Sequence, residues 1–208
     1  HTDIVGNVFV QGWSPGVRWA EFSIGAEDAY SAGTEGDFTI AHNLFITTHD
    51  LVKETGPSSV ILLHGNVDHL RLYSNVFLDY GVSGTEVYTR GEVFDSQRTR
   101  EFIKRRGSGD PIVEGANNWI SVRAAGIPPA LAWTLRGINP KFVDLLARNY
   151  HPRADSPLAG AGVWPLPGGQ AMSLVPEFEP QRGIPVDLKP RLRRKAEPPS
   201  IGPFEVEE

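Results

Sequence analysis

The sequence predicts an all-β fold of stacked repeats, a parallel solenoid followed by a C-terminal capping segment. A strand-like motif carrying Asn and Phe at fixed places recurs along the first half of the chain. Longer polar stretches separate the copies. Gly (22) and Pro (17) together approach a fifth of the 208 residues, without the strict period of a fibrous repeat.

The motif occurs as Ile4-Val5-Gly6-Asn7-Val8-Phe9-Val10, as Ile40-Ala41-His42-Asn43-Leu44-Phe45-Ile46 and as Leu72-Tyr73-Ser74-Asn75-Val76-Phe77-Leu78. Its asparagines are 36 and 32 residues apart. Residues two apart in a strand share a face, so the pattern alternates as a strand does. Asn tolerates the left-handed backbone of a tight bend. Stacking the copies would align the asparagines into an amide ladder and the phenylalanines into an interior stack. One repeat cannot bury its own apolar face, so neighbours must. A looser fourth copy spans Val113 to Ile120, about 43 residues on, and needs a one-residue bulge.

Within one repeat, Val60 to Leu63 reads as a first strand and Gly65-Asn66-Val67-Asp68 as a turn. Leu70 to Tyr73 and Val76 to Leu78 follow as strands. The stretches Ser14–Val17, Glu27–Gly36, Asp50–Pro57 and Asp95–Asp110 read as inserted loops, which a solenoid projects on one side. The last of them carries Arg98, Arg100, Lys104, Arg105 and Arg106 and suits a short amphipathic helix. An antiparallel β-sandwich with long loops is the competing reading.

The C-terminal third carries a family resemblance. Ile138-Asn139-Pro140-Lys141-Phe142-Val143-Asp144 leads into His151-Pro152-Arg153-Ala154-Asp155-Ser156-Pro157-Leu158-Ala159-Gly160-Ala161-Gly162. Farther on come Gln181-Arg182-Gly183-Ile184-Pro185 and Pro199-Ser200-Ile201-Gly202-Pro203-Phe204-Glu205. Together they resemble the closing segment of secreted, pectate-lyase-like, right-handed parallel β-helix proteins of bacteria. Ser200 stands where that pattern has Asp, Ala159-Gly160 where it has Ile-Asp, and the Asp before the Arg-Gly-x-Pro run is not in place. The resemblance implies parallel β-helix coils with loops over 1–126, a last coil and closing segment over 127–162, and a C-terminal cap over 163–208. The last segment would fold back over the open end of the stack.

Composition bounds the function. The formal charge of −5 argues against nucleic acid as partner, and mildly against a long acidic polysaccharide unless a local basic groove exists. The chain has no cysteine, which removes disulfides, thiolate metal sites and cysteine nucleophiles. No apolar run approaches the ~18 residues of a membrane span. No signal peptide opens the chain, and a core-like strand begins at once. An upstream segment or a partner chain is therefore expected over the N-terminal end. The resemblance places the protein as secreted, periplasmic or at the cell surface.

The densest polar cluster is His64, Asp68, His69 and Arg71. A hydrolase needs two carboxylates flanking the glycosidic bond. A lyase needs a base such as His, Arg, Lys or Tyr, and a cation such as Ca²⁺ to neutralise the uronate. These four are the candidate catalytic residues, although a turn Asp beside surface histidines is an ordinary structural feature. Glu27, Asp28, Glu35 and Asp37 are a candidate Ca²⁺ site, with plain loop solvation as the alternative. His42 with His49 and Asp50 suggests a metal less well than it suggests a structural histidine. Trp13, Trp19 and Tyr73 are candidate sugar-stacking residues, with core burial as the alternative. No phosphate-binding Gly-rich loop, nucleophile elbow or zinc-protease motif occurs.

Two functions remain open. One is an extracellular carbohydrate-interacting protein, including a polysaccharide lyase or glycoside hydrolase, with a polysaccharide or cell-surface glycan as partner. The other is a non-catalytic surface or matrix protein serving adhesion or assembly. The first rests on fold-level analogy.

Overall fold

The computed structural model describes residues 2–11, 22–24, 36–49, 59–63, 67–83, 86–89, 92–94, 113–121, 134–163, 176–177, 191–192 and 198–206. These residues are all-β, with no helix among them. The chain visits three sheets in rotation. The first sheet holds β1 (Thr2–Val5), β4 (Gly36–Ala41), β7 (Val67–Tyr73) and β11 (Val113–Ala116), in that order. The second runs β2 (Val8–Gln11), β5 (Leu44–His49), β8 (Val76–Ser83), β12 (Trp119–Ser121) and β13 (Leu135–Gly137). The third holds β3 (Phe22–Ile24), β6 (Ser59–Leu63) and β10 (Glu92–Phe94). Every pairing along these three orders is parallel. Parallel neighbours need a crossover between them, and from β1 to β12 each crossover passes through the other sheets. One hairpin interrupts the rotation: β9 (Glu86–Thr89) pairs antiparallel with the end of β8.

The Asn motif forms the corner between the first and second sheets. Asn7 Nδ2 donates to Asn43 Oδ1 at 3.1 Å, Asn43 Nδ2 to Asn75 Oδ1 at 3.1 Å, and Asn75 Nδ2 to Asn118 Oδ1 at 3.0 Å. The backbone amides of Asn7, Asn43 and Asn75 donate to the same oxygens. The second proton of each Asn43, Asn75 and Asn118 amide goes to a carbonyl of the preceding repeat: Ile4, Ile40 and Leu72. Asn43, Asn75 and Asn118 are fully buried, and satisfaction on this scale is what permits it. Behind the ladder the rings stack as expected. Phe9 and Phe45 have centroids 4.9 Å apart, and Phe45 and Phe77 5.1 Å apart.

Three details differ from expectation. The left-handed residue of each corner is the one before the Asn: Gly6 (φ 73°), His42 (φ 52°), Ser74 (φ 53°) and Asn117 (φ 54°). The Asn itself supplies hydrogen bonds, not the unusual backbone. The fourth repeat needs no bulge. Ala116 pairs with Tyr73 and Ile120 with Phe77, so Asn118 takes the ladder place and Ile120 the Phe place. Finally, Val67 and Asp68 belong to β7 and not to a turn.

The closing segment lies along the side of the stack. After β13, β14 (Phe142–Asp144) and β15 (Asn149–Pro152) form an antiparallel pair. Phe142, Tyr150, Leu158, Ile201 and Phe204 pack in one cluster with Leu44, Ile46, Val76, Leu78 and Trp119. Phe45, Phe77 and Ile120, between those residues in sequence, occupy the opposite face. At its central strands β5, β8 and β12 the second sheet is thus buried on both faces. The near-continuous apolar reading of Leu44-Phe45-Ile46 and Val76-Phe77-Leu78 follows from this. Ala161, Val163 and Gly202 bond to the left-handed corners. Asn117 Nδ2 donates to Ala161 O at 2.9 Å, and Gly202 N to Ser74 O at 2.7 Å. His42 is fully buried there, its Nε2 3.0 Å from Val163 O and its Nδ1 3.3 Å from Gly202 O, so it is a structural histidine. Two short strands, β16 (Pro176–Glu177) and β17 (Arg191–Leu192), pair antiparallel. The rest of 164–197, on which a cover for the open end would rest, lies outside the described residues, as does the expected helix of 95–110.

Candidate functional site

The face of the first sheet away from its apolar interior carries a row of polar side chains. In β7, Leu70 and Leu72 are fully buried, so His69, Arg71 and Tyr73 project from the other side. Register sets their neighbours. Asp37 pairs with His69, Thr39 with Arg71, and Arg71 with Glu114. Asp3 pairs with Thr39 and extends the same row.

Arg71 is the hub. Its Nε donates to Glu114 Oε1 at 2.9 Å, and its Nη1 lies 3.6 Å from Asp37 Oδ2. Asp37 Oδ1 lies 3.2 Å from His69 Nδ1. The side chain of Arg71 is 25% exposed, and those of Asp37, His69 and Glu114 are 36%, 39% and 43% exposed. The network is therefore open to solvent yet fixed at its base. Such partly exposed pairs add little to stability individually. Tyr73 stands next to it, half-buried. Burial foremost, and then the negative charge of Glu114, raise its phenol above the ordinary value, while Arg71 acts the other way. The phenol stays protonated at neutral pH and can donate.

Residues from three separately expected groups meet here. Asp37, expected in an acidic Ca²⁺ loop, sits against His69 and Arg71, expected as catalytic, and Tyr73, expected as a stacking residue, lies beside them. Asp68 lies within β7 by its backbone. His64, Trp13, Trp19, Glu27, Asp28 and Glu35 lie outside the described residues. Among the described residues no group of three or more His, Cys, Asp or Glu is placed to hold a metal ion. Asp37 faces a guanidinium and an imidazole. Glu114 was not singled out from the sequence. The signal for it is its place four residues before Asn118, as Arg71 stands four before Asn75.

These groups supply carboxylate acceptors, guanidinium and imidazole donors, and a phenol with an aromatic face. That mixture suits a ligand dense in hydroxyls. Compared with protein-family models, curated proteins and solved structures, the chain has no match in any of the three. No helix among the described residues is long and apolar enough to cross a membrane.

Proposed function

We propose that the chain is an extracellular right-handed parallel β-helix that binds carbohydrate on the outer face of its first sheet. The observation that carries this reading is the register-built row of Asp37, His69, Arg71 and Glu114 beside Tyr73. Sugar hydroxyls both donate and accept, and adjacent hydroxyls match paired donors and acceptors held at fixed spacing. Parallel strands give that spacing, roughly 4.8 Å from one repeat to the next. The helix reading is supported by rotation of the chain through three parallel sheets, and by the likeness of its closing segment to that of pectate-lyase-like proteins.

Binding is the function this geometry favours over catalysis. Among the described residues the two carboxylates beside Arg71, those of Asp37 and Glu114, contact the same guanidinium. They are arranged as acceptors, whereas a glycoside hydrolase needs one carboxyl group that donates a proton. The test is a glycan array probed with the full chain and with Arg71→Ala, followed by incubation with any bound glycan and analysis for cleavage. Binding lost in the variant, without cleavage, is the expected result. Cleavage of a bound glycan would replace binding by catalysis. Capture of protein partners with no glycan bound would favour an adhesion or matrix role.

A further inference from the structure

We infer that this face selects neutral or amino-sugar glycans and rejects polyuronates. The inference rests on the carbohydrate reading above and names its ligand class.

The described face is not a basic groove. Asp37 and Glu114 bring two negative charges against the one positive charge of Arg71. Both basic side chains are already engaged by resident carboxylates: Arg71 by Glu114 at 2.9 Å and Asp37 at 3.6 Å, His69 by Asp37 at 3.2 Å. A uronate taking the Nη donors of Arg71 that Glu114 leaves unused would set its carboxylate beside those of Asp37 and Glu114, and like-charge repulsion there opposes its binding.

A neutral sugar needs no exchange. Its hydroxyls donate to the free lone pairs of Asp37 and Glu114, which accept more than one bond each. The Tyr73 phenol donates to a ring or hydroxyl oxygen, and its ring offers a surface for sugar C–H groups. An amino sugar adds an ammonium that the net negative face attracts.

The decisive experiment titrates the full chain with three oligosaccharides of matched length: a neutral β-glucan, a glucosamine oligomer and an oligogalacturonate. Each is measured at low and at high salt. The account expects the neutral or glucosamine oligomer to bind at least about tenfold more tightly than the galacturonate. It also expects the isosteric Glu114→Gln to weaken that binding by about tenfold, while Asp155→Asn, distant in the closing segment, leaves it unchanged. Equal loss in Asp155→Asn would show that only bulk charge is sensed and would overturn the inference. Tightest binding of the galacturonate, weakened by salt, would overturn the selectivity but leave the carbohydrate reading standing. Binding of none of the three, together with an empty glycan array, would remove both.

Discussion

Ser74 and Val163 bond each other in both directions across 89 residues of sequence. The Ser74 hydroxyl donates to the Val163 carbonyl at 2.9 Å and accepts from the Val163 amide at 2.7 Å. This exchange fastens the closing segment to a corner of the repeats. Ser74→Ala leaves both Val163 groups without their partner, at about 1–3 kcal/mol. Ser74→Gly loses the same bonds but relieves the left-handed backbone at φ 53°. Urea unfolding should therefore rank wild type first, the Gly variant second and the Ala variant last.

The ladder predicts a steeper loss. The Asn75 amide donates to Ile40 O and Asn118 Oδ1 and accepts from the backbone and side chain of Asn43, all of it buried. Asn75→Ala orphans several of these groups at once, so a cost above about 3 kcal/mol is expected. Asn7 stands at the edge of the described ladder and is only half-buried. Asn7→Ala should cost clearly less in the same unfolding assay.

Gly162 tests the seating of the closing segment. A Cβ there would lie 2.7 Å from the Ser200 carbonyl oxygen and 2.9 Å from that of Pro199. Both are backbone atoms, and Gly162 N donates to Pro199 O at 2.7 Å. Gly162→Ala must push the two strands of chain apart, at about 1–3 kcal/mol. Limited proteolysis should then cut near the C-terminus sooner than in wild type.

Tyr73 predicts an alkaline limb. The folded chain holds the phenol proton more tightly than the unfolded chain, chiefly through burial. Its contribution to stability is thus complete below the ordinary phenol value, about 10, and is lost as pH rises through the raised value. Unfolding free energy against pH should fall less steeply above about pH 10 in Tyr73→Phe than in wild type. Parallel curves would count against the assigned environment.

Much of the stack was legible because its signal is local and periodic. Asn and Phe recur within a seven-residue motif, and that motif places both the ladder and the ring stack. The fourth copy was harder to align, since Ile120 replaces Phe, Gly115 replaces an apolar residue, and Asn117-Asn118 offers two candidates for one place. The left-handed corners at His42 and Ser74 left no compositional trace, because neither is Gly or Asn. The resemblance expects 163–208 as an end cover, in line with the general need to shield a solenoid end, and the closing segment only as the stretch before it. The closing segment's hold on His42, Ser74 and Asn117 depends on contacts far apart in sequence, which no local pattern encodes. The same limit applies to the site. His69 and Arg71 drew notice as near neighbours, whereas Asp37 and Glu114 join them only through strand register. Counting back from each ladder Asn recovers that register: Asp3, Thr39, Arg71 and Glu114 all stand four residues ahead.

That register is the claim on which the site depends, and an engineered cross-link tests it directly. The chain has no cysteine, so only introduced thiols can react. Arg71 and Glu114 are opposite each other in adjacent parallel strands, about 4.8 Å apart at Cα and within the range a disulfide spans. Arg71→Cys with Glu114→Cys should form an intramolecular disulfide readily under mild oxidation. Arg71→Cys with Val113→Cys, whose side chains face opposite sides of the sheet, should not. A cross-link in the second pair, or in neither, would contradict the register and with it the assembled site.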